Sequence, residues 1–125
     1  MEQAFRAFIA EERPGGGVVG QVGLLTRDRL PIGDVTIEVE YSSLNFKDAL
    51  AATGRNKVAS RYPHVPGIDA AGRIADTTAA GWAPGDRVLV TGYDFGAGRF
   101  GGYARYACVP ADWVVPMPTG LTARE

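Results

Sequence analysis

Turn-forming residues recur along the whole chain and restrict it to short elements. Glycine occurs 17 times and proline 8 times in 125 residues. They are dispersed, at Pro14-Gly15-Gly16-Gly17, Pro31-Ile32-Gly33, Pro63-His64-Val65-Pro66-Gly67, Pro84-Gly85 and through Gly92 to Gly102. Proline cannot donate to a sheet ladder and glycine admits positive φ, so each group predicts a turn. Short segments spaced at roughly ten residues between turns predict a small barrel or folded sheet.

Between the turns the apolar period is two. From Asp34 to Ser43, Val35, Ile37, Val39 and Tyr41 fall on one face and Thr36, Glu38, Glu40 and Ser42 on the other. That alternation is the mark of a half-buried strand. Residues 4–10 and 18–26 read as a hairpin across a turn at 11–17. Residues 70–75, 87–91 and 103–109 read as further strands, and 113–115 as a short last one. Asn45 to Gly54 reads as a helix, because Asn45 suits an N-cap, Ala and Leu favour helix, and Gly54 suits its end. Arg55 to Val65 reads as irregular. The expected fold class is mainly β with one or two short helices, in a single domain over residues 1–125.

Composition narrows the function classes. Hydrophobic residues make up 46% and charged residues 22%, as in a soluble globular domain. A net charge of -1 offers no basic excess for nucleic acid or an acidic membrane. Val88-Leu89-Val90 is far too short to span a bilayer. Met1-Glu2-Gln3 lacks the basic start of a signal peptide, and a single cysteine, Cys108, excludes a disulfide within the chain. Both point to a cytoplasmic location. With one histidine, His64, beside that cysteine, the three or four ligands of a zinc centre are not expected.

Gly96-Ala97-Gly98-Arg99-Phe100-Gly101 matches the glycine pattern of dinucleotide-binding loops. Such a loop must leave a strand and open a helix whose N-terminus faces the pyrophosphate. Here several residues separate it from the strand before it, and Tyr103-Ala104-Arg105-Tyr106 favours a strand after it. It is read as a flexible connection between two strands.

Three segments taken in order carry a resemblance: Ser42-Ser43-Leu44-Asn45-Phe46-Lys47-Asp48, Pro63-His64-Val65-Pro66-Gly67-Ile68-Asp69-Ala70-Ala71-Gly72, and Pro84-Gly85-Asp86-Arg87-Val88. Gly101-Gly102-Tyr103-Ala104-Arg105-Tyr106 and Pro116-Met117-Pro118-Thr119-Gly120-Leu121 continue it. Together they resemble the N-terminal GroES-like partial β-barrel of medium-chain dehydrogenases/reductases, most closely the NADPH-dependent quinone oxidoreductase and acryloyl-CoA reductase branch. That resemblance implies a part of an enzyme that reduces an activated C=C bond in an enoyl-CoA thioester or a quinone. It implies NADPH as cofactor, held mostly by a C-terminal Rossmann domain that is absent from these 125 residues, so that this chain alone is expected to be inactive. It further implies a homodimer at full length. Zinc-dependent relatives carry a cysteine near the position of Asn45 and a histidine at that of Ile68, so no metal is expected. The alternative from another class is a free-standing GroES-like binding or scaffold module without catalysis.

The resemblance places Asn45, Phe46, Lys47 and Asp48 at a strand-to-helix corner facing the nicotinamide. Asn45, Lys47 and Asp48 are the catalytic candidates, and Asn45 and Phe46 the cofactor-binding ones. Asn45 is equally suited to cap a helix, and Asp48 to its first turn. Phe46 stands where relatives often carry tyrosine and has no hydroxyl to donate. Arg55, Tyr93 and Arg99 are the substrate-binding candidates, Arg55 within a loose basic group with Lys57 and Arg61 that suits phosphates. Asp69 is read as a loop anchor or water-orienting group, and His64 and Cys108 as packing residues.

Overall fold

The computed structural model describes residues 4–54, 59 and 61–124. Strands β1 (Phe5–Glu12) and β2 (Val18–Leu25) form a two-stranded antiparallel hairpin. Strands β3 (Val35–Tyr41), β4 (Asp69–Thr77), β5 (Arg87–Thr91), β6 (Tyr106–Val109) and β7 (Val115–Pro116) form a second sheet in the order β6-β3-β4-β5-β7. Every pairing in it is antiparallel. Among the described residues one α-helix, α1 (Phe46–Thr53), follows β3, and two short 3-10 turns lie at Arg27–Arg29 and Ala111–Trp113.

The larger core lies on the five-stranded sheet. Val35, Ile37, Ile74, Val88, Val90 and Val109 are buried there with Phe95 and Val114. A smaller core of Phe5, Ala7, Leu25 and Val65 lies under the hairpin. Burying one such side chain contributes about 1.5–3 kcal/mol. Residues 103–105 stitch the two sheets together. Tyr103 accepts at its carbonyl from the Phe8 N–H (2.7 Å), Arg105 donates its N–H to Arg6 (3.0 Å), and the Arg105 carbonyl accepts from the Val39 N–H (2.7 Å).

The structure departs from the sequence expectations at definable places. Glu11 and Glu12 continue β1 opposite Val19 and Val18, because the Arg13 N–H to Gly17 carbonyl bond (2.8 Å) closes a shorter loop. Thr36, expected on the polar face, is 8% exposed. Strand β3 lies between β4 and β6, and its register against β4 shifts after Thr36, which interrupts the alternation. The Thr36 hydroxyl meets the Cys108 thiol (3.8 Å), which itself donates to the Gly33 carbonyl (3.3 Å). Trp113 lies in a 3-10 turn, and the last strand is Val115–Pro116. Proline is tolerated there because β7 is an edge strand.

The loop over Gly92 to Gly102 is folded rather than loose. Phe95, Gly96, Ala97, Gly101 and Gly102 are buried, and the next element is the strand β6. Its glycines let two backbones meet. A Cβ on Gly101 would lie 2.1 Å from the Gly67 carbonyl oxygen, and one on Gly96 2.3 Å from the same atom. Gly101 N–H bonds the Val65 carbonyl (2.7 Å) and Gly102 N–H that of Gly67 (2.9 Å). The match to the dinucleotide pattern therefore reflects close packing against Pro66-Gly67.

Candidate functional site

Where β3 ends, Ser42, Ser43 and Leu44 turn the chain into α1. Asn45 takes extended angles (φ -123°, ψ 159°), as an N-cap does, and Gly54 ends the helix at φ 76°. The Asp48 carboxylate reaches back to the Asn45 N–H (3.0 Å), the half of a capping box supplied from inside the helix.

Asp48 is 1% exposed, and its carboxylate is fully engaged. One oxygen accepts the backbone N–H groups of Gly67 (3.0 Å) and Ile68 (2.9 Å). The other accepts the Asn45 N–H, the Asn45 side-chain amide (3.3 Å) and the Tyr103 phenol (3.1 Å). Donors from three separated stretches thus converge on one buried charge, which is the condition under which such burial is tolerated. Asp48 fastens the start of α1 to the Gly67-Ile68 segment.

Asp69, at the start of β4, completes the corner. Its carboxylate accepts from the Ser43 N–H (2.9 Å), the Ser43 hydroxyl and the Asn45 side-chain amide (3.3 Å). The Asn45 amide also meets the Ser43 hydroxyl (3.0 Å), so it is held by three oxygens. The Tyr103 phenol donates to the Ser43 carbonyl as well (2.9 Å). Burial, and then the charges of Asp48 and Asp69, push the Tyr103 phenol far above its ordinary titration range, so it stays a neutral donor.

Outside this network the corner presents apolar surface. Leu44 is 84% and Phe46 79% exposed. Lys47 is exposed too, with no hydrogen bond or ion pair among the described residues. Beside the corner lies a cavity of about 340 Å³ with Ser42, Ser43, Asp69, Thr91, Met117 and Leu121 on its walls.

The structure therefore brings Asn45 and Asp48 into one network, with Phe46 and Lys47 on the surface beside it. Arg55, and Lys57 with it, lie outside the described residues. Tyr93 and Arg99 do not line the corner cavity. Tyr93 stacks on Trp113 (5.1 Å between centroids, 6° between planes). Arg99 donates to the carbonyls of Cys108 (3.3 Å) and Ile32 and faces the Trp113 ring at 5.6 Å. His64 is 3% exposed, its Nε2 bonded to the Gly96 carbonyl (2.8 Å), and burial lowers its titration. Ser43 and Tyr103 escaped the reading of the sequence as site residues. Ser43 sits inside the quoted corner segment, but nothing local connects Tyr103 to a residue 55 positions earlier. Among the described residues no group of three or more His, Cys, Asp or Glu side chains is arranged to hold a metal, and no helix is long and apolar enough to cross a membrane.

Comparison with known proteins places this corner in a family. The description of the alcohol dehydrogenase GroES-like domain matches residues 31–119, which include the corner, Asp69 and Tyr103. An acrylyl-CoA reductase of Ruegeria pomeroyi is 40% identical over 122 residues, covering 97% of this chain and 37% of that protein. A putative quinone oxidoreductase of Bacillus subtilis is 38% identical over 125 residues, covering 100% of this chain and 38% of that protein. The crystal structure of an oxidoreductase from Salmonella enterica in complex with NADP superposes with a TM-score of 0.91 at 42% identity, over 95% of this chain and 36% of that one. The chain thus spans a little over a third of the length of each relative. With the family's match running through β3, the helix corner and the last strands, the chain belongs to the alcohol dehydrogenase GroES-like domain family.

Proposed function

We propose that this chain is the substrate-side domain of an NADPH-dependent oxidoreductase that reduces an activated C=C bond, in an enoyl-CoA thioester or a quinone, without zinc. The observation that carries the reading is the corner: a side-chain amide locked by three oxygens, with an exposed aromatic ring and an exposed ammonium beside it. The likeness to an acrylyl-CoA reductase and to an NADP-bound oxidoreductase supports the same reading. The remaining nucleotide contacts belong to a C-terminal Rossmann domain in this proposal, with a homodimer at full length and a cytoplasmic location.

The corner fits a nicotinamide. Phe46 offers a flat apolar surface, 79% exposed, next to a polar wall. A dihydronicotinamide held there by Phe46 and Asn45 would supply the hydride for reduction of the alkene. The chain's own residues then do the rest. Phe46 packs on a planar ring and excludes water from one side. Asn45 presents an amide already fixed by Ser43, Asp48 and Asp69, so orienting a ligand through it costs little entropy. Lys47, exposed at the corner, would lie against the negative charge on a substrate carbonyl oxygen until the α-carbon takes its proton from water. Asp48 and Tyr103 act through Asn45 and the Gly67-Ile68 backbone as positioning residues.

The test is the turnover of NADPH with acrylyl-CoA and with a small quinone by the protein at its native length, before and after Asn45→Ala. The reading expects NADPH-dependent reduction of at least one of these that falls at least about tenfold in the variant, the scale of a lost orienting group. Absence of turnover with every activated alkene overturns it.

A further inference from the structure

A second cavity shares none of its described lining residues with the one beside the corner. Its volume is about 540 Å³, within the range of small-molecule sites. Three arginines line it: Arg29 from the 3-10 turn after β2, Arg61 before the Pro63 segment, and Arg99 from the folded loop. In a chain of net charge -1 this is a local reversal of sign. Asp94 is the one carboxylate among the described lining residues. Of the acidic groups nearby, Asp28 accepts the Thr26 hydroxyl and Glu12 acts on Tyr62.

The three guanidinium groups are differently prepared. Arg99 is fixed by the carbonyls of Cys108 and Ile32 and by the Trp113 ring. The side chains of Arg29 and Arg61 are exposed, with no hydrogen bond or ion pair among the described residues. Beside them stand two fixed rings on the same lining. Tyr62 and Phe100 are each held edge-on to the buried His64, at 6.3 and 6.0 Å, and the Tyr62 phenol donates to the Ala51 carbonyl (2.7 Å). Planar guanidinium groups grip phosphate oxygens, and aromatic faces take a purine.

We infer that this cavity binds a phosphorylated adenosine, and that it serves as the subsite for the nucleotide end of a coenzyme-A thioester. This rests on the proposed function for the identity of the substrate, but not for the presence of the site. Arg29 and Arg61 close on the phosphate, and the ring enters between Tyr62 and Phe100. The cavity lies at the start of the segment that runs from Arg61 to Gly67. Six residues span at most about 20 Å, so a long flexible arm can join the subsite to the corner.

Binding of adenosine 3′,5′-bisphosphate, adenosine 2′,5′-bisphosphate, adenosine and inorganic phosphate is measured by calorimetry, with the native protein and with Arg29→Ala, Arg61→Ala and Phe100→Leu. The inference expects the 3′-phosphate compound to bind best, each arginine variant to weaken it about tenfold, and added salt to weaken it too. Preference for the 2′-phosphate would assign the site to the cofactor and overturn the substrate assignment. Equal binding of inorganic phosphate, or no effect of the arginine variants, would overturn the site itself. In turnover, Arg61→Ala should raise KM for an acyl-CoA and leave kcat and a quinone's KM unchanged. Binding without turnover defeats the proposed reaction but not this site, and turnover indifferent to Arg61 does the reverse.

Discussion

The Tyr103 phenol donates to the buried Asp48 carboxylate at 3.1 Å, across 55 residues of sequence. That bond ties the segment stitching the two sheets to the start of α1. The candidate site is thus built into the fold, and its parts can be separated by substitution.

Asp48→Ala should be among the most damaging changes in the chain. It leaves the backbone donors of Asn45, Gly67 and Ile68 and the Tyr103 hydroxyl without their acceptor. Stranding buried donors and deleting a charge-assisted acceptor costs roughly 3 kcal/mol or more. Tyr103→Phe removes one donor of several and should cost about 1 kcal/mol. Urea unfolding of the two variants checks the ranking, and equal losses would mean that Asp48 is not the hub.

Gly101→Ala should destabilise the fold although its surroundings look like a loop in sequence. The new methyl would lie 2.1 Å from the Gly67 carbonyl oxygen and 2.5 Å from the Gly96 Cα, both backbone atoms that cannot swing away. Overpacking of this kind costs about 1–3 kcal/mol. A thermal midpoint unchanged from the parent would show that the two segments do not meet as described.

His64 gives stability a pH dependence on the acid side. Burial lowers its titration below 6.5, with the Gly96 carbonyl acting weakly the other way. The unfolded chain therefore binds more protons, and the stability is present above 6.5 and is lost as pH falls from there through the folded value. His64→Gln should lower stability near neutrality and flatten its slope over that acid window, seen in urea midpoints taken at several pH values. An unchanged slope would place the titrating group elsewhere.

Phe46 and Asn45 should separate function from folding. Phe46→Ala removes a ring that is 79% exposed and should change stability by less than about 0.5 kcal/mol while lowering kcat/KM for NADPH-dependent reduction. Asn45→Ala should cost about 1 kcal/mol as a lost N-cap and lower activity as well. Full activity in the Phe46 variant would remove it from the cofactor contact.

Much of this fold was legible in the sequence for local reasons. The Arg87–Thr91 strand and the Asn45 to Gly54 helix with its two caps follow from β-branched runs and capping chemistry that act over a few residues. What was not legible is non-local. Thr36 is buried because β3 is central and shifts register, which alternation alone cannot show. The glycines of the 92–102 loop resemble flexibility until the Gly67 backbone is seen against them. The corner segment was visible as a motif, but Tyr103 joins it only through the crossing between sheets. Trp113 and Tyr93 stack because the 3-10 turn and the loop are neighbours in space, a pairing no period predicts.

The most direct measurement is the fate of the hydride. Protein at its native length would be supplied with NADPH deuterated at the transferring position and with acrylyl-CoA, and the product analysed by mass spectrometry and NMR. The account predicts a propionyl thioester with deuterium at the β-carbon, and loss of that product in Asn45→Ala. A product without the label, or no reduction while the folded protein binds NADPH, would contradict it.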